Sequence, residues 1–348
     1  MLFLERFTML SFSNHSLSNH FCSRVSGLPL LCVLFGGLLL LSLGSPVPAS
    51  AAPKAPKQTV KLPCTGTIIA WGENDQEQTA VPTGLSHIIA IAAGGDHSLA
   101  LESDGMVDVW GDSVYGKFLV PLNLSGVAAI AAGKKHNLAL KSDGTVAAWG
   151  DNFYGQTAVP VGLSGVVAIA AGRHCSLALK RDGTVVGWGD NSFSQLTVPA
   201  GLSHVTAIAA GAFHCLALKS NGTVVAWGDT VNDLEDNDYG QATVPAGLSG
   251  VVAIAAGSLH SLALKKDGTV VAWGDNDAGQ TAVPAGLTGV VAVAAGGSHS
   301  LALKRDGTVV AWGSNRYGQA TVPVGLSHVI AIAAGSDHSL AVVSSSGR

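Results

Sequence analysis

The sequence predicts an all-β protein, a seven-bladed β-propeller with four antiparallel strands in each blade. Seven Trp residues recur at a spacing of 39, with a single spacing of 46: Trp71, Trp110, Trp149, Trp188, Trp227, Trp273 and Trp312. Seven Ala-Ala-Gly tripeptides repeat with the same spacing and show the same excess in the same unit. Each unit consists of short apolar runs separated by Gly. Repeats of about 40 residues that hold four short strands are typical of propeller blades.

The unit from Val251 to Gly289 shows how the elements of one blade are predicted. Period-two alternation and β-branched residues indicate strands, Asp-Gly indicates a tight turn, and Pro ends a strand because it lacks a ladder donor. In order, the unit gives a first strand over Val251–Ala255, a second over His260–Lys265, a turn at Asp267-Gly268, a third strand over Thr269–Trp273 and a fourth over Thr281–Val283, before Pro284.

The two ends of the repeat array each hold an incomplete blade. Thr65 to Trp71 matches the third strand of a unit, and His338 to Val343 matches the second. We expect these N- and C-terminal strands to pair. That pairing would close the ring and remove two exposed strand edges, which otherwise favour aggregation.

The first fifty residues differ from the repeats. An apolar run over 28–43 follows Arg24, and the small-residue pattern Ala49-Ser50-Ala51 comes after it. This order is typical of a secretory signal peptide, and the run is short for a membrane-spanning helix, although a signal anchor is the alternative. We therefore predict a signal peptide over 1–51, a linker over 52–64, the propeller over 65–343 and a tail over 344–348. The mature chain would be secreted or periplasmic, without stable membrane insertion.

Charge and cysteine content limit the classes of function. The formal net charge is -4, and the Lys and Arg residues are spread along the repeats, so no nucleic-acid partner is expected. Three Cys would remain after cleavage, which excludes a full disulfide framework. Cys175 and Cys215 occupy neighbouring repeats; they either pair or replace small buried residues.

The repeat resembles a known family. Its pattern Gly-x-x-His-Ser-Leu-Ala-Leu-Lys-x-Asp-Gly-Thr-Val-Val-Ala-Trp-Gly-Asp-Asn recurs over residues 65–343 and is similar to the regulator of chromosome condensation repeat. The period of 39 and the ending Gln-Thr-Ala-Val-Pro resemble the bacterial secreted branch, which includes a seven-bladed streptomycete β-lactamase inhibitory protein. The resemblance implies a propeller and, in that branch, an inhibitory contact with another protein. In that inhibitor the matching loops carry aromatic contacts to the β-lactamase, whereas the loops of this chain differ in sequence and lack Trp.

Function is expected on one face of the ring. The loops after Ala-Ala-Gly and after Trp-Gly emerge together, and they differ from unit to unit, whereas the Asp-Gly turns on the other side are nearly constant. We call the first side the variable face. Exposed aromatic and Arg residues are common anchors of protein interfaces. The candidate binding residues are Tyr115, Phe153, Tyr154, Phe193, Phe213, Tyr239, Tyr317, Lys135, His174 and Arg316. The alternative is that the aromatic side chains cap the propeller and pack on each other.

Two groups of residues suggest metal ligands only at first sight. Six equivalent His residues share the parity of buried Leu residues, so we expect them between blades, too far apart for one zinc ion: His97, His136, His214, His260, His299 and His338. The insertion over 230–236 is acidic, and Asp233, Glu235, Asp236 and Asp238 are weak calcium candidates. Their spacing matches no complete calcium loop, which favours a solvated loop. No cofactor is expected.

The sequence therefore predicts a binding protein and not an enzyme. It contains no nucleophile elbow, phosphate loop or zinc helix. We expect a monomer whose partner is an extracytoplasmic protein, with β-lactamase inhibition as one version. The alternative is a propeller that binds glycans or cell wall, or a polysaccharide-active enzyme built on this scaffold.

Overall fold

The computed structural model describes residues 66–228 and 239–344. In chain order its strands are β1 (Gly66–Gly72), β2 (Ile88–Ala93), β3 (His97–Glu102), β4 (Val107–Gly111), β5 (Val127–Ala132), β6 (His136–Lys141), β7 (Val146–Gly150), β8 (Val166–Ala171), β9 (Cys175–Lys180), β10 (Val185–Gly189), β11 (Val205–Ala210), β12 (His214–Lys219), β13 (Val224–Gly228), β14 (Val251–Ala256), β15 (His260–Lys265), β16 (Val270–Gly274), β17 (Val290–Ala295), β18 (His299–Lys304), β19 (Val309–Gly313), β20 (Val329–Ala334) and β21 (His338–Ser344). A 3-10 turn over Val114–Gly116 follows β4.

The strands form seven antiparallel sheets, which confirms the predicted fold class. Blades 1 to 6 are β2–β4, β5–β7, β8–β10, β11–β13, β14–β16 and β17–β19. Blade 7 combines β20 and β21 with β1, and β1 pairs with β21 from Gly66 opposite Ser344 to Gly72 opposite His338. Because β20 also contacts β2, the blades follow one another around a closed ring. The expected pairing of the two terminal strands is therefore present.

The prediction of a fourth strand in each blade is wrong for the residues that the structure describes, since every sheet has three strands. The segment Thr281–Val283 shows the reason. The N–H of Ala282 donates to the Gly279 carbonyl, and the N–H of Val283 donates to the Thr281 carbonyl. Local turns therefore use the donors that a ladder would need, and Pro284 has none to offer. The segment therefore forms consecutive turns, with Val283 packed against the core.

The core lies between the blades. The first and second strands of each sheet are buried on both faces, so the alternation of polar and apolar residues is replaced by Ala, Leu and Ile. All seven Trp side chains are buried, as predicted, and each indole N–H donates to a backbone carbonyl in the segment that leads into its own blade. The accepting residue is Gln in six cases and Lys117 in the seventh.

The six His residues join neighbouring blades, which confirms their predicted place. Nε2 of each ring lies 2.7–3.0 Å from a Ser or Asn oxygen of the next blade: His97–Asn137, His136–Ser176, His214–Ser261, His260–Ser300, His299–Ser339 and His338–Ser98. The hydroxyl of Ser98 already donates its proton to the Gln78 carbonyl, so His338 must be the donor through Nε2. The other junctions repeat this arrangement. Nδ1 of each ring is buried without a hydrogen-bond partner, and burial lowers the pKa of each ring to about 3 or 4, so each ring is neutral and carries its proton on Nε2.

The seventh junction replaces both partners at once. Cys175 stands where the other blades have His, and Cys215 stands where they have Ser or Asn. Both thiols are fully buried and free, and the Cys215 thiol donates to the Gln195 carbonyl as the Ser hydroxyls do. Burial, with the contact to Cys175, raises the pKa of Cys215 well above its ordinary value, so the Cys215 sulfur stays protonated.

Restoring the missing pair tests this junction. A His ring fits beside Gly172, which has no Cβ, as the ring of His136 fits beside Gly133. We expect the change in unfolding free energy caused by the double variant Cys175→His plus Cys215→Ser to be more stabilising, by about 1 kcal/mol, than the sum of the changes caused by the two single variants. The reason is that only the pair recreates the hydrogen bond. Urea unfolding of the four proteins measures this coupling. Strictly additive changes in unfolding free energy would show that the side chains at the two positions do not interact.

Candidate protein-binding face

The two sets of variable loops lie side by side. The N–H of Asp151, which follows the Trp-Gly of blade 2, donates to the Lys135 carbonyl of the loop between β5 and β6. Asp190 makes the equivalent bond to His174. On the opposite side of the ring, the N–H of Val166 donates to the Gly144 carbonyl, which joins the Asp-Gly turn to the connection between blades. The chain therefore separates constant and variable loops onto opposite faces.

The constant face is built by turn chemistry. Gly144 has φ of +82°, a conformation that Gly adopts at no steric cost, and its N–H donates to the Lys141 carbonyl. The Asp143 carboxylate accepts bonds from the backbone N–H and the hydroxyl of Thr145, which hold its pKa at about 2. The same arrangement recurs at Asp182, Asp267 and Asp306. These residues serve the hairpins, so their recurrence carries no information about a partner.

Aromatic side chains of the variable face contact the next blade. Tyr115 lies beneath the Lys135 ammonium, 4.1 Å from the nitrogen to the ring centroid. The Tyr154 ring lies 4.7 Å from the His174 ring. Phe193 and Phe213 lie 4.4 Å apart between centroids. The loops of blades 1, 2 and 3 thus each pack on a loop of the next blade. We call this set of side chains the aromatic arc: Tyr115, Lys135, Phe153, Tyr154, His174, Phe193 and Phe213.

Exposure separates the members of the aromatic arc. Phe153 is 83% exposed although it meets Tyr154 edge-on, whereas Phe193 and Phe213 are partly buried against each other. Tyr115 and Tyr154 have about half of their surface free. Phe153 is therefore the side chain most available to another molecule, and the Phe193–Phe213 pair packs as the capping alternative describes.

Other candidates lie outside the arc. Tyr239 and Tyr317 are each about 40% exposed, and the Arg316 guanidinium lies 5.5 Å from the Tyr317 ring centroid. Sequence reasoning missed the exposed side chains Phe118 and Leu119 in the loop after β4. Other units carry Thr-Ala or Ala-Thr at those two positions, or Leu-Thr in one case, so the departure of this unit from the repeat was the available signal.

Charge divides the variable face into two sides. Lys134, Lys135 and Arg173 lie on blades 2 and 3, and burial together with the Arg173 charge lowers the pKa of Lys134. On the side of blades 7 and 1, burial and the Asp96 carboxylate raise the pKa of Asp337, while burial and Asp337 raise that of Glu73. A partner that covers the whole face would meet a cationic and an acidic half.

A cavity of about 550 Å³ opens at the centre of the variable face. Its wall is formed by the Ala-Ala-Gly segments of all seven blades and by the residue that follows each of them. Backbone bonds between those segments run around the axis, for example from the Arg173 N–H to the Gly211 carbonyl and from the Ser336 N–H to the Gly94 carbonyl. Lys134 and Arg173 are the cations of this wall, and sequence reasoning did not single them out.

The weak calcium candidates and the apolar run fall in segments outside the described residues. The candidates are Asp233, Glu235, Asp236 and Asp238, and the run spans 28–43. Within residues 66–228 and 239–344, no cluster of His, Cys, Asp or Glu has the geometry to hold a metal ion. No helix in those same ranges is long and apolar enough to cross a membrane.

Truncating the most exposed aromatic pair is expected to leave the fold intact. Phe153→Ala plus Tyr154→Ala removes two exposed side chains, 83% and 45% of whose surface is free, that pack on each other and on His174. We expect the unfolding free energy to change by no more than about 1 kcal/mol, as is usual for surface positions. Thermal unfolding checks this. A much larger loss would mean that the pair belongs to the structural core and would make it unsuitable as a probe of binding.

Comparison with known proteins identifies the family. The pattern of the regulator of chromosome condensation (RCC1) repeat matches residues 88–117, 127–156, 166–195, 205–241, 251–280 and 290–319. More than half of the chain is matched, so the chain belongs to the RCC1 repeat family. The remaining blade, blade 7, is the one assembled from both termini. No curated protein sequence matches the chain.

Solved structures show the same fold at low sequence identity. Prp20p of Saccharomyces cerevisiae superposes with a TM-score of 0.68 at 22% identity, over 81% of this chain and 92% of that chain. Human WBSCR16 gives 0.65 at 19% identity, over 80% and 99%. The ectodomain of the receptor kinase CR4 from Physcomitrella patens gives 0.58 at 24% identity, over 71% and 68%.

Proposed function

We propose that this chain is a non-catalytic protein-binding module whose contact surface is the variable face. The observation that carries the proposal is the aromatic arc, in which Phe153 stands 83% exposed beside the partly exposed Tyr115 and Tyr154. Exposed aromatic groups grouped with cations form the anchors of many protein interfaces. The constant positions are already occupied by packing, turns and blade-to-blade hydrogen bonds, which leaves binding to the positions where the units differ.

The structural neighbours support a binding function without naming a partner for this chain. The Prp20p structure is described together with its binding to Gsp1p and histones, and yeast RCC1 (Prp20) has been crystallised bound to Kap60. Those partners belong to those proteins. The -4 net charge of this chain gives no reason to expect nucleic acid here.

We place the protein outside the cytoplasm, in the medium or the periplasm, because of the apolar run and cleavage pattern in its first 51 residues. The receptor-kinase ectodomain among the neighbours is consistent with this fold working at a cell exterior. The chain would act as a monomer in the bacterial secreted branch of the family. In its most specific version the proposal is inhibition of a β-lactamase.

Two experiments test the function. Tagged chain from residue 52 onward is used to capture proteins from periplasm or culture medium, and the same protein is applied to a glycan array. The proposal expects a stoichiometric protein partner and no glycan binding. Glycan binding that persists in Phe153→Ala plus Tyr154→Ala, with no protein captured, would instead support the cell-wall alternative. A direct β-lactamase inhibition assay with purified protein decides the specific version.

A further inference from the structure

The repeat does not explain which residues line the cavity at the centre of the variable face, which we call the axial cavity. At the position directly after Ala-Ala-Gly, five of the seven units place a small uncharged residue in the wall: Gly95, Ala212, Ser258, Gly297 and Ser336. The other two units place Lys134 and Arg173 there, on the neighbouring blades 2 and 3. The volume of about 550 Å³ lies in the range of pockets that bind small organic ligands. The cavity is therefore large enough for a ligand and charged on one side only.

The two cations lack a direct anionic partner. Among the described residues, neither Lys134 nor Arg173 forms an ion pair, and Nε of Arg173 is buried without a hydrogen-bond partner. Both side chains are partly buried, and burial and the Arg173 charge lower the pKa of Lys134, while the Asp96 and Asp337 carboxylates act on it in the opposite direction without forming an ion pair. Like charges held together in a partly desolvated site repel, and a bound anion would relieve that repulsion.

An apolar surface adjoins the cations. Phe193 and Phe213 line the same cavity and lie 4.4 Å apart, and the Arg173 guanidinium lies 5.3 Å from the Phe213 ring centroid. Asp190 also lines the cavity, but its carboxylate accepts bonds from the N–H and hydroxyl of Ser192. Burial and Arg173 lower the pKa of His174, which keeps that ring neutral at pH 7.

We propose that the axial cavity binds a small monocarboxylate that carries an aromatic ring. Its carboxylate lies between Lys134 and Arg173, and its ring packs against Phe193 and Phe213. Among the residues that line the wall, Lys134 and Arg173 against Asp190 leave a single net positive charge, which favours a monoanion over a polyanion. The proposal does not depend on the protein-binding function, because a small ligand from solution can enter the cavity without a protein partner.

Isothermal titration calorimetry with the chain from residue 52 onward tests the site at pH 7.5. The probe is N-acetyl-L-phenylalanine, and its uncharged amide is the matched control ligand. We expect the amide, and the variants Arg173→Ser and Lys134→Ser, to bind at least about tenfold more weakly, since hydrogen bonds to charged groups are lost. Ser occupies the same position in two other blades, so both variants are compatible with the fold.

Lys135→Gln is the matched control variant. Lys135 neighbours Lys134 in sequence but points over Tyr115 and is absent from the cavity wall. We expect its affinity for the probe to stay within about twofold of the unchanged protein. The proposal would be overturned by equal binding of acid and amide, by unchanged affinity in Arg173→Ser, or by no binding of the acid up to about 10 mM.

Discussion

Lowering the pH from 7 to 5 is expected to destabilise this protein far more steeply than an ordinary domain. Six fully buried His rings have pKa values lowered from 6.5 to about 3 or 4, first of all because burial disfavours the charged form. The unfolded chain binds these six protons below pH 6.5 and the folded ring does not. Stability is therefore retained above pH 6.5 and is lost as the pH falls toward 4.

The expected magnitude is large. Each proton bound only by the unfolded state changes the unfolding free energy by about 1.4 kcal/mol per pH unit, so six approach about 8 kcal/mol per unit near pH 5. Domains of ordinary stability have only about 5–15 kcal/mol in total. The turn carboxylates with pKa about 2, such as Asp143, contribute a loss only below about pH 4 and do not overlap this window.

Urea unfolding at pH 7.5, 6.5, 5.5 and 5 measures the effect. His260→Gln is expected to reduce the slope by about one sixth, or 1.4 kcal/mol per pH unit. The exposed His204, changed to Asn because its φ of 59° suits Asn, serves as the control and should leave the slope unchanged. Constant stability between pH 7 and 5 would mean that the buried rings take up protons in the folded state.

Replacing one glycine of the Ala-Ala-Gly segments around the axis is expected to have the second large effect on stability. A Cβ added at Gly257 would lie 2.3 Å from Cε1 of His260 and 2.5 Å from the Gly296 carbonyl oxygen of the next blade. The carbonyl belongs to the backbone ring around the axis, where Ser258 N–H donates to it, so it cannot move alone. We expect Gly257→Ala to cost about 3 kcal/mol or more, by overpacking at two contacts at once.

Gly286→Ala supplies the comparison. That residue has a φ of +77° with open space around its Cβ position, so Ala there costs only the backbone strain of about 1–2 kcal/mol. The difference between the two variants in urea unfolding isolates the contact between blades. If Gly257→Ala were as mild as Gly286→Ala, the ring could widen, and the axial cavity would not have a fixed size.

The sequence predicted the ring because its evidence is periodic. The Trp and Ala-Ala-Gly series gave seven blades, and the unmatched ends at Thr65 and Val343 gave the closure. The fourth strand was mispredicted because Thr281–Val283 has strand composition, while its hydrogen bonds are decided locally by the turns around Gly279 and Pro284. Composition alone does not reveal which carbonyl a donor will reach.

The candidate site was predicted in outline only. Comparing the units placed Tyr115, Phe153 and Tyr154 on one face, and the structure agrees that their loops adjoin. The sequence could not show that Phe193 and Phe213 cover each other, since that depends on the distance between blades. For the same reason Lys134 looked equivalent to Lys135, although one faces the axis and the other lies over a ring.

The central claim is that the variable face, and not the constant face, binds a protein. The most direct test measures the affinity of the captured partner for two matched double variants. Phe153→Ala plus Tyr154→Ala alters the variable face, and Met106→Ala plus Leu122→Ala removes two exposed apolar side chains beside the Asp-Gly turns and connections. We expect the first to weaken binding by about 100-fold, as for hot-spot aromatics, and the second by less than about twofold. The reverse order would contradict the account.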